Sequence, residues 1–221
     1  MALNLGQQIS TPAQPNLGTP APAYDQGFFG TSFGGLNVYF AKLTAIFSAL
    51  LGPRGGKYIN NPYGAFQDGT DQTAANTTTA YAITFDTTDF SNGVTLSNSS
   101  RLNVSQAGIY NLQFSIQFKN TTNDTQDVDV WFRKNGTNID KSNSRFGLSP
   151  RKSSGDPSHM IGALNFFVNL AANDYVQIMW RPSDVGVNIE HFAASSTPTR
   201  PAVPSVIATL SFVSNLSVET A

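Results

Sequence analysis

Acid–base, nucleophilic or metal chemistry would have to come from two histidines and a scatter of aspartates, because the chain has no cysteine and only two glutamates. A hydrolytic triad needs a nucleophile, a base and an orienting acid. His159 and His191 each sit in strand or loop sequence without a strand-turn-helix nucleophile motif, so both are expected at the surface. A glycosidase pair would be drawn from Asp124, Asp127, Asp129, Asp156 and Asp184. Their turn-rich surroundings suit aspartates that bond their own backbone. Hard oxygen ligands of the kind calcium takes cluster at 120–127, NTTNDTQD, and at 68–71, DGTD, but neither stretch has the spacing of a dedicated loop. Without cysteine there is no thiolate, no disulfide framework and no cysteine-based zinc site. The expectation is a non-enzymatic chain with no catalytic residue, no cofactor and no metal. The most basic stretch, Arg145–His159, holds Arg145, Arg151 and Lys152 and reads as a long solvated loop, with an acidic surface or a glycan as the alternative partner.

Charged residues make up only 12% of the chain and the net charge is −1. A nucleic-acid backbone demands clustered Lys and Arg, so that partner is excluded. No run of apolar residues is long enough to span a bilayer, and the first residues lack the basic and apolar parts of a signal peptide. Abundant Asn, Thr, Ser and Gly disfavour helix and suit strands joined by polar turns.

Five segments follow. Residues 1–35 carry Pro12, Pro15, Pro20 and Pro22, then Gly27, Gly30, Gly34 and Gly35, and predict an extended arm. Tyr24, Phe28, Phe29 and Phe33 on that arm are expected to dock on a surface, since such side chains are costly to leave in water. Residues 36–51 space Leu36, Phe40, Leu43, Phe47 and Leu50 by four and three, the stripe of one short amphipathic helix. Val38, Tyr39, Ile46 and Leu51 widen that stripe, which calls for packing against other subunits or against the chain's own β domain. Residues 52–62 are a Gly/Pro linker, 63–214 the main domain and 215–221 a tail.

From Tyr63 the period falls to two. Ile109–Phe118 alternates Tyr110, Leu112, Phe114, Ile116 and Phe118 with polar residues. Further strands are expected at Tyr63–Gln67, Tyr81–Phe85, Val94–Leu96, Arg101–Val104, Val128–Arg133, Met160–Leu170, Tyr175–Arg181, Val185–Phe192 and Ser205–Val213. About ten short strands predict an all-β fold, a jelly-roll β-sandwich. Two of them are apolar on both faces: Ile161 and Phe167 in one, Ile207 and Val213 in the other, lie opposite the core set. A sandwich has one interior, so these four are the expected trimer interface.

The pattern resembles the trimeric jelly-roll superfamily of complement component one q and tumour necrosis factor. The similarity runs through Tyr63-Gly64-Ala65-Phe66, Ile83–Asp86, Leu102–Tyr110 with its Gly-x-Tyr turn, Asn169–Val176 and Val206–Phe212. Asn173 stands where the family's hairpin has glycine, a change that Asn tolerates through positive φ. No collagen-like stalk precedes the domain. With its proline-rich arm, helix and polar β domain, the chain looks like virion proteins of tailed phages that use this fold. The resemblance implies a homotrimer located in the virion, a viral structural protein that serves as a capsid decoration or cement protein. Its partner would be the major capsid protein or another virion protein, bound through Tyr24, Phe28, Phe29, Phe33, Leu36, Phe40, Leu43, Phe47 and Leu50. The alternative is a tail or fibre component whose jelly roll binds a host surface glycan.

Overall fold

The computed structural model describes residues 13–17, 19, 23–51 and 61–214, with backbone only at 49–51. The chain divides into two units, Met1–Asn61 and Pro62–Ala221. The linker expected at 52–62 falls outside the described residues except for 61 and 62.

In the first unit one helix, α1, spans Gln26–Leu51. It starts ten residues before the expected Leu36, so the arm does not stay extended to residue 35. Asp25 explains the start. Its carboxylate oxygen accepts the backbone N–H groups of Gly27 at 2.8 Å and Phe28 at 3.2 Å, and its carbonyl accepts that of Phe29 at 3.1 Å. Each helical glycine costs about 1 kcal/mol relative to alanine, which weakens a helix without forbidding it. Phe29 and Phe33, one turn apart with ring centroids 6.3 Å apart, stack along its side.

The described residues of the second unit form fifteen strands. They are β1 Tyr63–Asp68, β2 Tyr81–Ala82, β3 Thr87–Asn92, β4 Val94–Ser97, β5 Arg101–Val104, β6 Gly108–Asn120, β7 Gln126–Lys134, β8 Thr137–Asn138, β9 Ser144–Leu148, β10 Ser158–Leu170, β11 Tyr175–Pro182, β12 Val187–Ile189, β13 Ser195–Ser196, β14 Thr199–Arg200 and β15 Val206–Ser214. One sheet runs β10-β6-β15-β1-β3, with β12 beside the end of β6. The other runs β4-β5-β11-β7, with β8 and β9 along β7 and β2 along β11. Every strand pairing in both sheets is antiparallel, and the second unit is an all-β sandwich. β1 pairs with β15, β5 with β11, β6 with β10, and β7 with β9. The four pairs are nested in sequence.

Alternating side chains build the core between the sheets. Along β6, Tyr110, Leu112, Phe114, Ile116 and Phe118 are buried while their neighbours face outward. Val128, Val130 and Phe132 of β7 and Val176, Ile178 and Trp180 of β11 meet them. Close packing dictates two glycines. A Cβ at Gly108 would lie 2.4 Å from the Phe212 ring and 2.7 Å from the Ser214 carbonyl; one at Gly162 would lie 2.5 Å from the Phe118 ring. Gly108, the first residue of β6, therefore lets Phe212 pack edge-on against Tyr110, with centroids 5.6 Å apart. Asn173 does adopt positive φ, 70°, at the β10–β11 connection.

Several strands depart from expectation. β3 and the short β8, β13 and β14 were not expected, and β2 stops at Ala82. Beyond it, Ile83 and Phe85 stay buried, their N–H groups bonded to the carbonyls of Ile178 and Ser99. β9 and the start of β10 lie inside Arg145–His159, so that stretch is not one long loop.

Candidate functional site

Directly paired residues share a face, so the register defines the outward surface of each sheet. Across β15, β6 and β10 the first sheet shows the rows Ile207–Ser115–Ala163, Thr209–Gln113–Asn165 and Ser211–Asn111–Phe167, followed by Gln117–Ile161. None of these side chains is charged. Ile161 is 61% exposed, Phe167 56%, Ile207 42% and Val213 50%. The surface continues onto β1 and β3, where exposed Tyr63 and Phe90 contact edge to face at 6.0 Å. Phe90 had no sequence signal, because it is the lone apolar residue in a strand with no buried position.

The outward surface of the second sheet is built differently. Asp129 of β7 pairs with Arg181 of β11 on one side and Arg145 of β9 on the other. The Arg145 guanidinium bonds both Asp129 oxygens at 2.9 and 3.3 Å, and Arg181 stands 3.9 Å away. Burial would raise the Asp129 pKa, but the hydrogen bond and charge of Arg145, with Asn143 and Arg181, outweigh it and hold the carboxyl below the usual range. Arg101 lies 4.5 Å over the Tyr175 ring, and Arg133 is paired opposite Gln177. This face is laced with charge.

The residues considered for chemistry fall into local pairs. His159 Nε2 is 2.7 Å from Glu190, whose other oxygen meets Lys119. The His191 ring and backbone N–H both meet Asp71 Oδ1, at 2.6 and 2.9 Å. Against the burial that would raise it, His191 keeps the Asp71 carboxyl low. Asn120 Oδ1 accepts from the Thr122 N–H and hydroxyl, and Asp68 accepts from Thr70 and Thr84, so the oxygens of both suspected calcium stretches serve their own turns. Among the described residues no group of three His, Cys, Asp or Glu side chains is placed to hold a metal ion. In the basic stretch, Arg145 is bound to Asp129 and Lys152 lies 3.8 Å from Asp156.

In the first unit Tyr24, Phe29, Phe33, Phe40 and Phe47 are exposed, whereas Phe28, Leu36 and Leu43 are half-buried. The Leu50 side chain lies outside the described residues. No protein-family model and no curated protein matches the chain.

Proposed function

We propose that this chain is a non-enzymatic structural protein of a bacteriophage virion, a homotrimeric capsid decoration or cement protein. Its second unit is read as a jelly roll that trimerises, and its first unit as the part that joins the particle. The observation that carries the reading is the run of uncharged rows on the outer face of β10, β6 and β15, bounded at one end by the Lys119–His159 row, with Ile161, Phe167 and Ile207 exposed in it. Protein interfaces are depleted in charge at their centre, while solvated faces are not. Burying each such side chain is worth about 1.5–3 kcal/mol. The nested strand pairs support the jelly roll, since a long hairpin wrapped around a barrel pairs its first strand with its last and its innermost strands with each other. Three copies and a virion setting rest on the resemblance at Leu102–Tyr110 and on the cysteine-free, charge-poor composition.

Sedimentation of the full-length protein at micromolar concentration tests the assembly, with a trimer expected; a stable monomer would sink it. A map of the intact particle tests the location. Copies at threefold positions of the shell are expected, and copies confined to the tail would overturn the capsid role in favour of host binding.

A further inference from the structure

Along its whole length α1 repeats apolar residues at alternating steps of four and three: Phe29, Phe33, Leu36, Phe40, Leu43, Phe47 and Leu50. In heptad terms Phe33, Phe40 and Phe47 hold successive a positions, and the other four hold d. Such a repeat drifts only about 20° per heptad around a straight helix, so the side chains keep to one face. Phe33, Phe40 and Phe47 are exposed along that face. The described residues of the arm lie to the side: the Leu17 carbonyl accepts the Ser32 hydroxyl at 3.4 Å, and Pro15 packs beside Gly35. Gly27, Gly30, Gly34 and Gly35 occupy b, e, b and c, and Lys42, the one charged residue of the helix, occupies c.

We infer that α1 is one strand of a parallel coiled coil made by three copies of this chain. The inference rests on the trimeric reading above and deepens it by dividing the first unit into a self-assembly seam and an outer surface. The repeat itself identifies the occupant, since a seven-residue period is what a partner helix with the same period imposes and a globular surface does not. The helix needs such a partner. Four glycines at about 1 kcal/mol each and no ion pairs along its length leave it unstable alone. Among the described residues no helix is long and apolar enough to cross a membrane. Half-buried Tyr39 and Ile46 add the g position to the stripe, which is wider than a two-stranded seam requires. A cyclic trimer points all its helices the same way. At 1.5 Å per residue the coil would be about 39 Å long. Tyr24, Phe28 and Val38 fall outside the seam and are left to contact the particle.

Because the chain has no cysteine, single cysteines report proximity without background. Full-length Phe40→Cys and Leu43→Cys proteins, in the seam, are compared with Val38→Cys and Lys42→Cys, outside it, for cross-linking by a short bismaleimide. The seam positions are expected to react on the order of 10²-fold faster, since assembly holds them at high effective concentration. Sedimentation of the same samples reads the trimer independently. Equal rates at all four positions in a trimer overturn the coiled coil and leave the trimeric sandwich standing, whereas a monomer overturns both. Phe40→Leu and Phe40→Asp guard against local collapse of the seam: the first keeps the far-ultraviolet helix signal and the second loses it. Equal signals from the two variants overturn the inference.

Discussion

The two sheets share one core and present opposite outer faces. Over β7, β9 and β11, Asp129, Arg145 and Arg181 make a network that water and salt can surround. Over β6, β10 and β15, Asn, Gln, Ser and Thr separate exposed Ile161, Phe167 and Ile207, and the charged row of Lys119 and His159 stands at one end of them. Selection for solubility alone would not distinguish the faces so sharply. The difference teaches that sheet faces are to be compared by charge as well as by apolar content, because an isolated exposed isoleucine is ordinary and a charge-free apolar face is not.

The largest effect expected from this contrast is on assembly. Phe167→Arg places an unpaired charge at the proposed interface, at a cost of about 3–5 kcal/mol if it is buried there. Sedimentation should show monomers, while Thr95→Arg on the outer side of β4 leaves the trimer intact. Equal behaviour of the two variants would erase the distinction between the faces.

Next is an alkaline limb that belongs to the core beneath the first sheet. Burial pushes the Tyr110 phenol up to about 12, and its hydroxyl donates to the Gln106 carbonyl at 2.7 Å. An acid whose folded pKa is raised contributes stability that is complete below its unfolded value, about 10, and is lost as pH climbs towards 12. Unfolding free energy should fall by about 2–3 kcal/mol across that window, and Tyr110→Phe should flatten it. Gly108→Ala tests the same corner at neutral pH. Its methyl would meet the Phe212 ring and the Ser214 carbonyl, for a loss of about 1–3 kcal/mol read in denaturant midpoint.

The smallest effect lies on the charged face. The Asp129 carboxyl is held low, so its contribution is present above the ordinary carboxylate range and disappears as pH falls through the lowered value. Asp129→Asn should make the acid limb shallower and change little at neutral pH, because Arg145 is largely exposed and screened. A steep loss at pH 7 would mean that this face, too, is covered.

How much of this was legible depends on whether a residue's partner is near in sequence. Tyr110 to Phe118 announced their strand by alternation, and Ile161 and Phe167 announced a second apolar face because they interrupt an alternation already established. The glycines before Leu36 read as arm, and the Asp25 cap that overrides them is a single residue whose role appears only once a helix follows. β9 was concealed by Arg145, which looked like loop charge until Asp129 of β7 was brought opposite it. The charge contrast between the sheets was not legible at all, since no local window holds the register that places Asp129 between two arginines and Gln113 between Thr209 and Asn165.

The last of the described strands is the one that closes the first sheet. β15 lies between β6 and β1, and its first residue, Val206, pairs with Asp68 at the end of β1. Until translation reaches it, β1 and β6 face a vacant slot, and pairing over so long a loop is intrinsically slow. Ribosomes add about 5–20 residues per second, so several seconds separate the synthesis of the two edges from that of the strand that joins them. Ile207 arrives with β15, which ties the proposed oligomerising face to the synthesis of that strand. Chains terminated before β15 would lack the keystone of the sheet and part of the proposed contact surface in one stroke.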